Sequence, residues 1–251
     1  MSLILTAHGT RRQSGVAMIA ELATRVSELL DRTVQIAFVD VLGPTPSEVL
    51  SDLRARRQHC PPAIVVPAFL SRGYHVRTDL PAHIAASGHP NVTVTPALGP
   101  SPAIARILRQ NLVESGWRSG DSVILAAAGT SDPRARNDLH HAAALLSVLT
   151  GSRVDLGFAA TGTPTVGDAV ANARHRGAGR VVVASYLLAD GLFQQRLHNC
   201  GADLVTRPLG IHPGLARLVA QRFRTAALPS GPVIKMVCRQ GALRPATLDL
   251  W

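Results

Sequence analysis

The sequence predicts an α/β protein of two tandem domains, each a four-stranded parallel sheet flanked by helices, and three observations support this. The chain repeats itself at an offset of 120 residues, so that Leu5-Thr6-Ala7-His8-Gly9-Thr10 realigns with Leu125-Ala126-Ala127-Ala128-Gly129-Thr130. Within each copy, short continuous apolar runs alternate with stretches of helical periodicity, as parallel strands joined by crossover helices require. At 251 residues and 46% hydrophobic content, each copy is large enough to bury its own core. An offset this long marks a duplicated domain, since solenoid repeats run about 20 to 50 residues.

The first copy opens with an apolar strand, Leu3 to Ala7. Val16, Ile19, Leu22, Val26, Leu29 and Leu30 then form an i, i+3, i+4 stripe, the mark of an amphipathic helix. Strands follow at Val34 to Val39, Ala63 to Phe69 and Val92 to Ala97, giving the order β-α-β-α-β-α-β-α. In the second copy the same register carries Val34 to Asp40 onto Val154 to Ala160, with Pro44 over Pro164 and Arg54 over Arg174. After a loop three residues shorter, Ile64 to Leu70 fall on Val181 to Leu187; after one inserted residue, Gly73 meets Gly191 and His75 meets Phe193. Leu98-Gly99 and Pro102 recur as Leu209-Gly210 and Pro213, and Leu139, Ala142, Ala143, Leu146 and Leu149 repeat the helical stripe. The expected domains are residues 1–117 and 121–230, joined by a linker at Gly116 to Gly120, with a tail at 231–251.

No run approaches 18 apolar residues, and the opening MSLILTAHGT enters a strand without a basic region or cleavage site. A cytoplasmic protein with no membrane partner is the expectation. Cys60, Cys200 and Cys238 are odd in number and far apart, which suggests neither a disulfide framework nor a thiolate metal cluster. The net charge of +10 comes almost wholly from arginine, Lys235 being the single lysine. These arginines are spread along the chain and form no stripe or module for nucleic acid, so no nucleic-acid partner is expected. Base composition alone can produce such usage. The functional alternative is a partner with several carboxylates or phosphates, which arginine grips bidentately.

His8, Asp40 and His75 are replaced in the second copy by Ala128, Ala160 and Phe193. All three follow strand ends, so they gather at the carboxyl edge where open α/β sheets bind ligands. Alone, each has an ordinary structural explanation, the histidines as satisfied polar residues and the aspartate as a helix cap. The second copy keeps the strands, glycines and prolines without them, so the fold does not require them. Two imidazoles and a carboxylate suit a first-row divalent metal, and each can also accept a proton. Gly9 lets a bulky group approach the backbone beside His8. The remaining histidines lack such a matched set: His83 and His89 flank the next helix, and His59 lies in a loop.

The strings A-H-G-T-R, F-V-D-V before P-x-P, and P-A-F-L-S-R-G-Y-H-V-R-T-D-L-P resemble the class II tetrapyrrole chelatases, specifically the sirohydrochlorin chelatases. The resemblance implies two flavodoxin-like (chelatase-like) domains with a cleft for the macrocycle. It implies insertion of ferrous iron or cobalt into sirohydrochlorin, toward sirohaem or cobalamin, with the metal as substrate and no permanent cofactor. His8 and His75 become the metal-handling and proton-abstracting residues. Asp40 stands where many relatives carry Glu, a difference expected to alter metal preference. Gly9, Thr10, Arg11, Arg12, Arg72, Gly73, Tyr74 and Arg77 flank the histidines and become the groups that bind the carboxylated substrate. The expected assembly is a monomer with one working site, in the first domain. Two alternatives stay open: a carrier of tetrapyrrole or metal without turnover, and a phosphoryl-handling enzyme. The latter shares an H-G-T-R string with histidine phosphatases, which place Arg where this chain has Ala7.

Overall fold

The structure, a computed structural model, describes residues 1–55, 60–228, 234–239 and 242–245. His59 and much of the expected tail lie outside these residues. The first copy runs β1 (Ser2–Ala7), α1 (Gln13–Leu30), β2 (Val34–Phe38), α2 (Pro46–Ala55), β3 (Ala63–Pro67), a π-helical turn (His75–Asp79), α3 (Leu80–Ser87), β4 (Val92–Val94) and α4 (Pro102–Glu114). The second runs β5 (Ser122–Gly129), α5 (Pro133–Thr150), β6 (Val154–Thr161), α6 (Val166–His175), β7 (Val181–Tyr186), α7 (Leu192–His198), β8 (Leu204–Val205) and α8 (Pro213–Ala227). Both sheets have the expected parallel, helix-flanked form and share one strand order, β2-β1-β3-β4 and β6-β5-β7-β8. His83 lies inside α3 rather than beside it.

The first sheet continues further than the sequence suggests. Two tail strands, β9 (Ile234–Arg239) and β10 (Ala242–Pro245), add antiparallel to the β4 edge and make six strands in all. Antiparallel addition at an open edge satisfies the outward N–H and C=O groups that a terminal strand leaves unpaired.

Strand pairing corrects the expected alignment of the two copies by one residue. Ser2 lies beside Ala63, and its counterpart Ser122 lies beside Val181, an offset of 118 for β3 and β7 rather than 117. The following bonds agree: Thr95 N–H donates to Val65 O and Thr206 N–H to Val183 O. The inserted residue before Gly73 therefore vanishes, while the match of His75 with Phe193 stands. An unbroken apolar run carries no period-two signal, so sequence alone does not set its register.

By packing, the chain divides into Met1–Phe69, Tyr74–Leu98 and Ala216–Trp251 in one compact unit, and Leu70–Gly73 and Gly99–Leu215 in the other. The helix that follows the last strand of each repeat thus packs in the other repeat's unit, across the expected 1–117 and 121–230 bounds. Its role is the same in both. In the first unit Arg224 of α8 donates to Leu29 O in the last turn of α1 at 2.6 Å. In the second, Arg109 of α4 donates to Leu149 O in the last turn of α5 at 3.0 Å. Last-turn carbonyls have no partner within their helix, and a guanidinium also suits the negative end of the helix dipole.

Ile4, Val39, Leu50, Val65 and Leu80 centre one core of the first unit. Ile124, Val170, Val181, Val183 and Leu197 do the same in the second. Ile19, Leu22 and Val26 bury the α1 stripe, whereas Leu29 is exposed at its end. No described helix is long and apolar enough to cross a membrane.

Candidate active site

The parallel pairing of β1 with β2 carries on past the strand ends and sets His8 beside Asp40. Val39 N–H donates to Ala7 O at 2.9 Å and Asp40 N–H to His8 O at 3.1 Å. Gly9 has φ +96°, and a Cβ there would lie 2.1 Å from Asp40 O. Only glycine permits this approach. The neighbour that needs the space is the chain's own carbonyl, which accounts for this glycine without a ligand. Gly129 repeats the device in the second unit, its Cβ position 1.9 Å from Thr161 O.

The π-helical turn brings His75 back over the end of β1. The His8 and His75 rings meet edge to face, centroids 4.3 Å apart and planes at 87°. Phe69 stacks on His75 with centroids 6.2 Å apart, and Tyr74 meets its edge at 6.2 Å. His8 Nδ1 lies 3.0 Å from Gly9 O, and His75 Nδ1 lies 2.6 Å from Asp79 Oδ2. Carbonyl and carboxylate oxygens only accept, so each Nδ1 carries a proton, and in the neutral form of each ring the lone pair lies on Nε2. Metal-binding histidines commonly hold this arrangement, donating the second ring N–H to an oxygen. Asp79 is a residue that the sequence reading missed. A signal existed, since the offset that matches His75 with Phe193 also sets Asp79 against Leu197.

Asp40 ends beside the pair in the backbone but does not complete the expected three-ligand set. Its Oδ1 accepts the Val41 N–H at 2.7 Å, and Leu42 N–H donates to Asp40 O at 2.8 Å across a Val41 with φ +68°. This is a γ-turn of the rare, strained hand, on a β-branched residue that disfavours positive φ. The turn holds the carboxylate on its own backbone. Among the described residues, no three His, Cys, Asp or Glu side chains group as a metal site.

The expected substrate-binding residues divide. Thr10 Oγ1 accepts the Arg12 N–H at 3.1 Å, and Thr130 Oγ1 accepts the Asp132 N–H at 3.0 Å in the copy without the histidines. Thr10 is therefore part of the helix-entry turn. Arg72 packs in the second unit, where Asp138 Oδ2 accepts its backbone N–H at 2.8 Å. The same carboxylate takes Nε at 3.0 Å and Nη2 at 2.5 Å. Burial resists charge on Asp138, yet the Arg72 hydrogen bonds hold its carboxyl below the usual carboxylate range. The Arg72 fork, expected to receive substrate, is engaged by a buried carboxylate. Gly73 shares that segment and meets only ordinary packing, against Ala135 Cβ. Tyr186 Oη anchors the segment too, donating to Leu70 O at 2.9 Å. Arg11, Arg12, Tyr74 and Arg77 remain exposed around the histidines.

In the second unit the corresponding edge carries Ala128, Ala160 and Phe193, with the Arg196 guanidinium over the Phe193 ring at 5.8 Å. Two imidazoles meet at one strand edge of a doubled α/β scaffold whose other copy has Ala128 and Phe193 in their places. The chain belongs to the CbiX family, whose family model matches residues 2–115 and 122–226. It is 24% identical over 246 residues to the sirohydrochlorin ferrochelatase of Priestia megaterium, covering 92% of each chain. It is 26% identical over 243 residues to the sirohydrochlorin cobaltochelatase of the same organism, covering 88% of this chain and 78% of that one. Among solved structures, SirB from Bacillus subtilis with Fe3+ superposes with TM-score 0.76 at 18% identity, over 90% of this chain and 95% of that one.

Proposed function

We propose that this protein is a sirohydrochlorin chelatase, inserting ferrous iron or cobalt on the way to sirohaem or cobalamin. The observation that carries the reading is the His8–His75 pair, two imidazoles 4.3 Å apart whose Nδ1 protons are both committed to oxygen acceptors. Insertion removes two pyrrole protons while a divalent ion sheds water and enters from one face, so it needs a proton acceptor beside a transient ligand. His75 is the proton acceptor, because the Asp79 carboxylate behind it stabilises the imidazolium that forms. His8, backed by a neutral carbonyl, is the transient ligand. Asp40 stands next in line as a proton or metal relay once its hold on the Val41 N–H is released. The metal is substrate, and no resident cofactor is invoked.

Arg11, Arg12 and Arg77 supply charge for the substrate's carboxylates, and the exposed Tyr74 ring supplies a flat apolar face. Gly9, Thr10, Arg72 and Gly73 shape the surrounding backbone instead. The working site belongs to the repeat at 1–117. The repeat at 121–230 offers no lone pair at the matching positions, so one metal and one macrocycle are handled per chain, by a cytoplasmic monomer. The names of the curated relatives support the substrate. The test is purified protein with sirohydrochlorin and Fe2+, Co2+ or Ni2+ in turn, followed by absorbance. Catalysed metallation at one site per chain is expected; a bound but unmetallated spectrum would make the protein a carrier.

A further inference from the structure

We propose that Asp79 is a positioning residue that holds His75 as its Nδ1–H tautomer and so keeps the Nε2 lone pair on offer to a proton or a metal. The inference rests on the chelatase reading for its consequence, but not for its geometry. His75 and Asp79 are four residues apart, their side chains 32% and 26% exposed, and Nδ1 lies 2.6 Å from Oδ2. The turn between them is π-helical, closed by Leu80 N–H on His75 O. Such single wide turns inside helical segments recur at functional sites, where they re-aim a side chain. Phe69, Tyr74 and His8 enclose the ring on three sides. With the ring packed in this way, the tautomer is the main freedom left to it, and the carboxylate removes that freedom because it accepts and never donates.

The second copy shows that the fold does not ask for this carboxylate. At the matching position Leu197 is 0% exposed and sits in the hydrophobic core. The first unit gives up a core leucine for an aspartate only where its partner four residues earlier is histidine; where that partner is Phe193, the leucine stays. Pairing of the two changes within one chain points to joint function rather than to a surface charge.

The decisive measurement is a two-bond proton–nitrogen correlation spectrum of the full chain carrying ¹⁵N-histidine, with His75 assigned by its loss in His75→Gln. The wild type is expected to show His75 protonated on Nδ1. Asp79→Asn brings an amide that can donate to Nδ1, so the ring should turn partly to the Nε2–H form, as the loss of a charged acceptor does elsewhere. Co2+ affinity should then fall about 10- to 100-fold, the usual cost of losing such a partner. Metallation should lose kcat by about 10²-fold with KM for the macrocycle nearly unchanged, and Asp79→Glu should recover part of it. A wild-type His75 protonated on Nε2, or an Asp79→Asn protein with normal tautomer and kcat, would overturn the proposal. A wild type with the Nδ1–H form that inserts no metal would support the positioning role and sink the proposed function alone.

Discussion

Replacing Arg72 by alanine separates two roles that the sequence leaves open, receiving substrate and holding the fold. The Asp138 side chain is 2% exposed and accepts from Arg72 through the backbone N–H, Nε and Nη2. Arg72→Ala deletes the guanidinium and leaves one backbone donor on a buried carboxylate. Removing one partner of a buried pair costs about 3–5 kcal/mol. The Arg72 side chain is 64% exposed, so solvent already screens part of the attraction. With the surviving N–H, this brings the expected loss to about 2 kcal/mol. At about 2–4 °C per kcal/mol for a chain of this size, the thermal midpoint should fall by about 4–8 °C. Calorimetry reads the midpoint, and metallation kinetics on the same preparation should show KM for sirohydrochlorin unchanged. Adding Asp138→Leu should return much of the loss, since an apolar pair of similar volume often replaces a buried ion pair without cost. A steady midpoint with KM raised several-fold would show that Arg72 does bind substrate.

His8→Ala and His75→Ala should each lower metallation at least about 10²-fold with the midpoint nearly unchanged, and near-normal turnover in either would dismiss the site. Asp40→Ala should cost less activity than either histidine variant, because Oδ1 is engaged by the Val41 N–H, while Asp40→Glu should alter the rate ratio between Fe2+ and Co2+. Gly9→Ala and Gly129→Ala both force a Cβ into a carbonyl, so both should destabilise by more than about 1 kcal/mol, but only Gly9→Ala should also slow the reaction beyond its effect on folding. Stability should fall on acidification in two stages. Burial lowers the pKa of His89 from 6.5, so the unfolded chain binds that proton more readily and stability is lost as pH falls below about 6.5. The lowered carboxyl of Asp138 adds a second loss below about 4. Denaturant midpoints against pH check this, and His89→Gln should abolish the first stage alone.

The fold class and the meeting of the two histidines were legible because both rest on local signals that the chain states twice. Apolar runs give strands, and the repeat marks which polar side chains the scaffold can do without. What escaped depends on relations that composition does not encode. The one-residue slip in β3 arose in a run without alternation, where either register buries apolar side chains. The exchange of α4 and α8 was hidden because an amphipathic stripe specifies a buried face but not the surface that covers it. Asp138 lies 66 residues beyond Arg72, and nothing near either predicts their meeting. Asp79, by contrast, was within reach: at the offset that matches His75 with Phe193 it stands against Leu197, and so joins His8, Asp40 and His75 as a polar residue matched to an apolar one.

Those four substitutions, taken with what replaces them, explain how one scaffold holds two outcomes. In the second unit the segment after β7 is fastened by a buried side chain: Gln194 accepts from Ser185 Oγ at 2.7 Å and donates to Thr206 O at 2.9 Å. Its counterpart in the first unit is Val76, which can make neither bond. There the same segment winds into the π-helical turn and is held through His75 and Asp79, the pair proposed above to serve the metal. A residue that must accept a proton or a metal cannot be fully committed to packing, because its lone pair has to stay available. The second copy lacks those groups, and its Gln194 and Leu197 are buried in hydrogen bonds and core packing instead. The first keeps a partly exposed, polar turn and a strained Val41 beside Asp40, features that a scaffold selected for stability alone would discard.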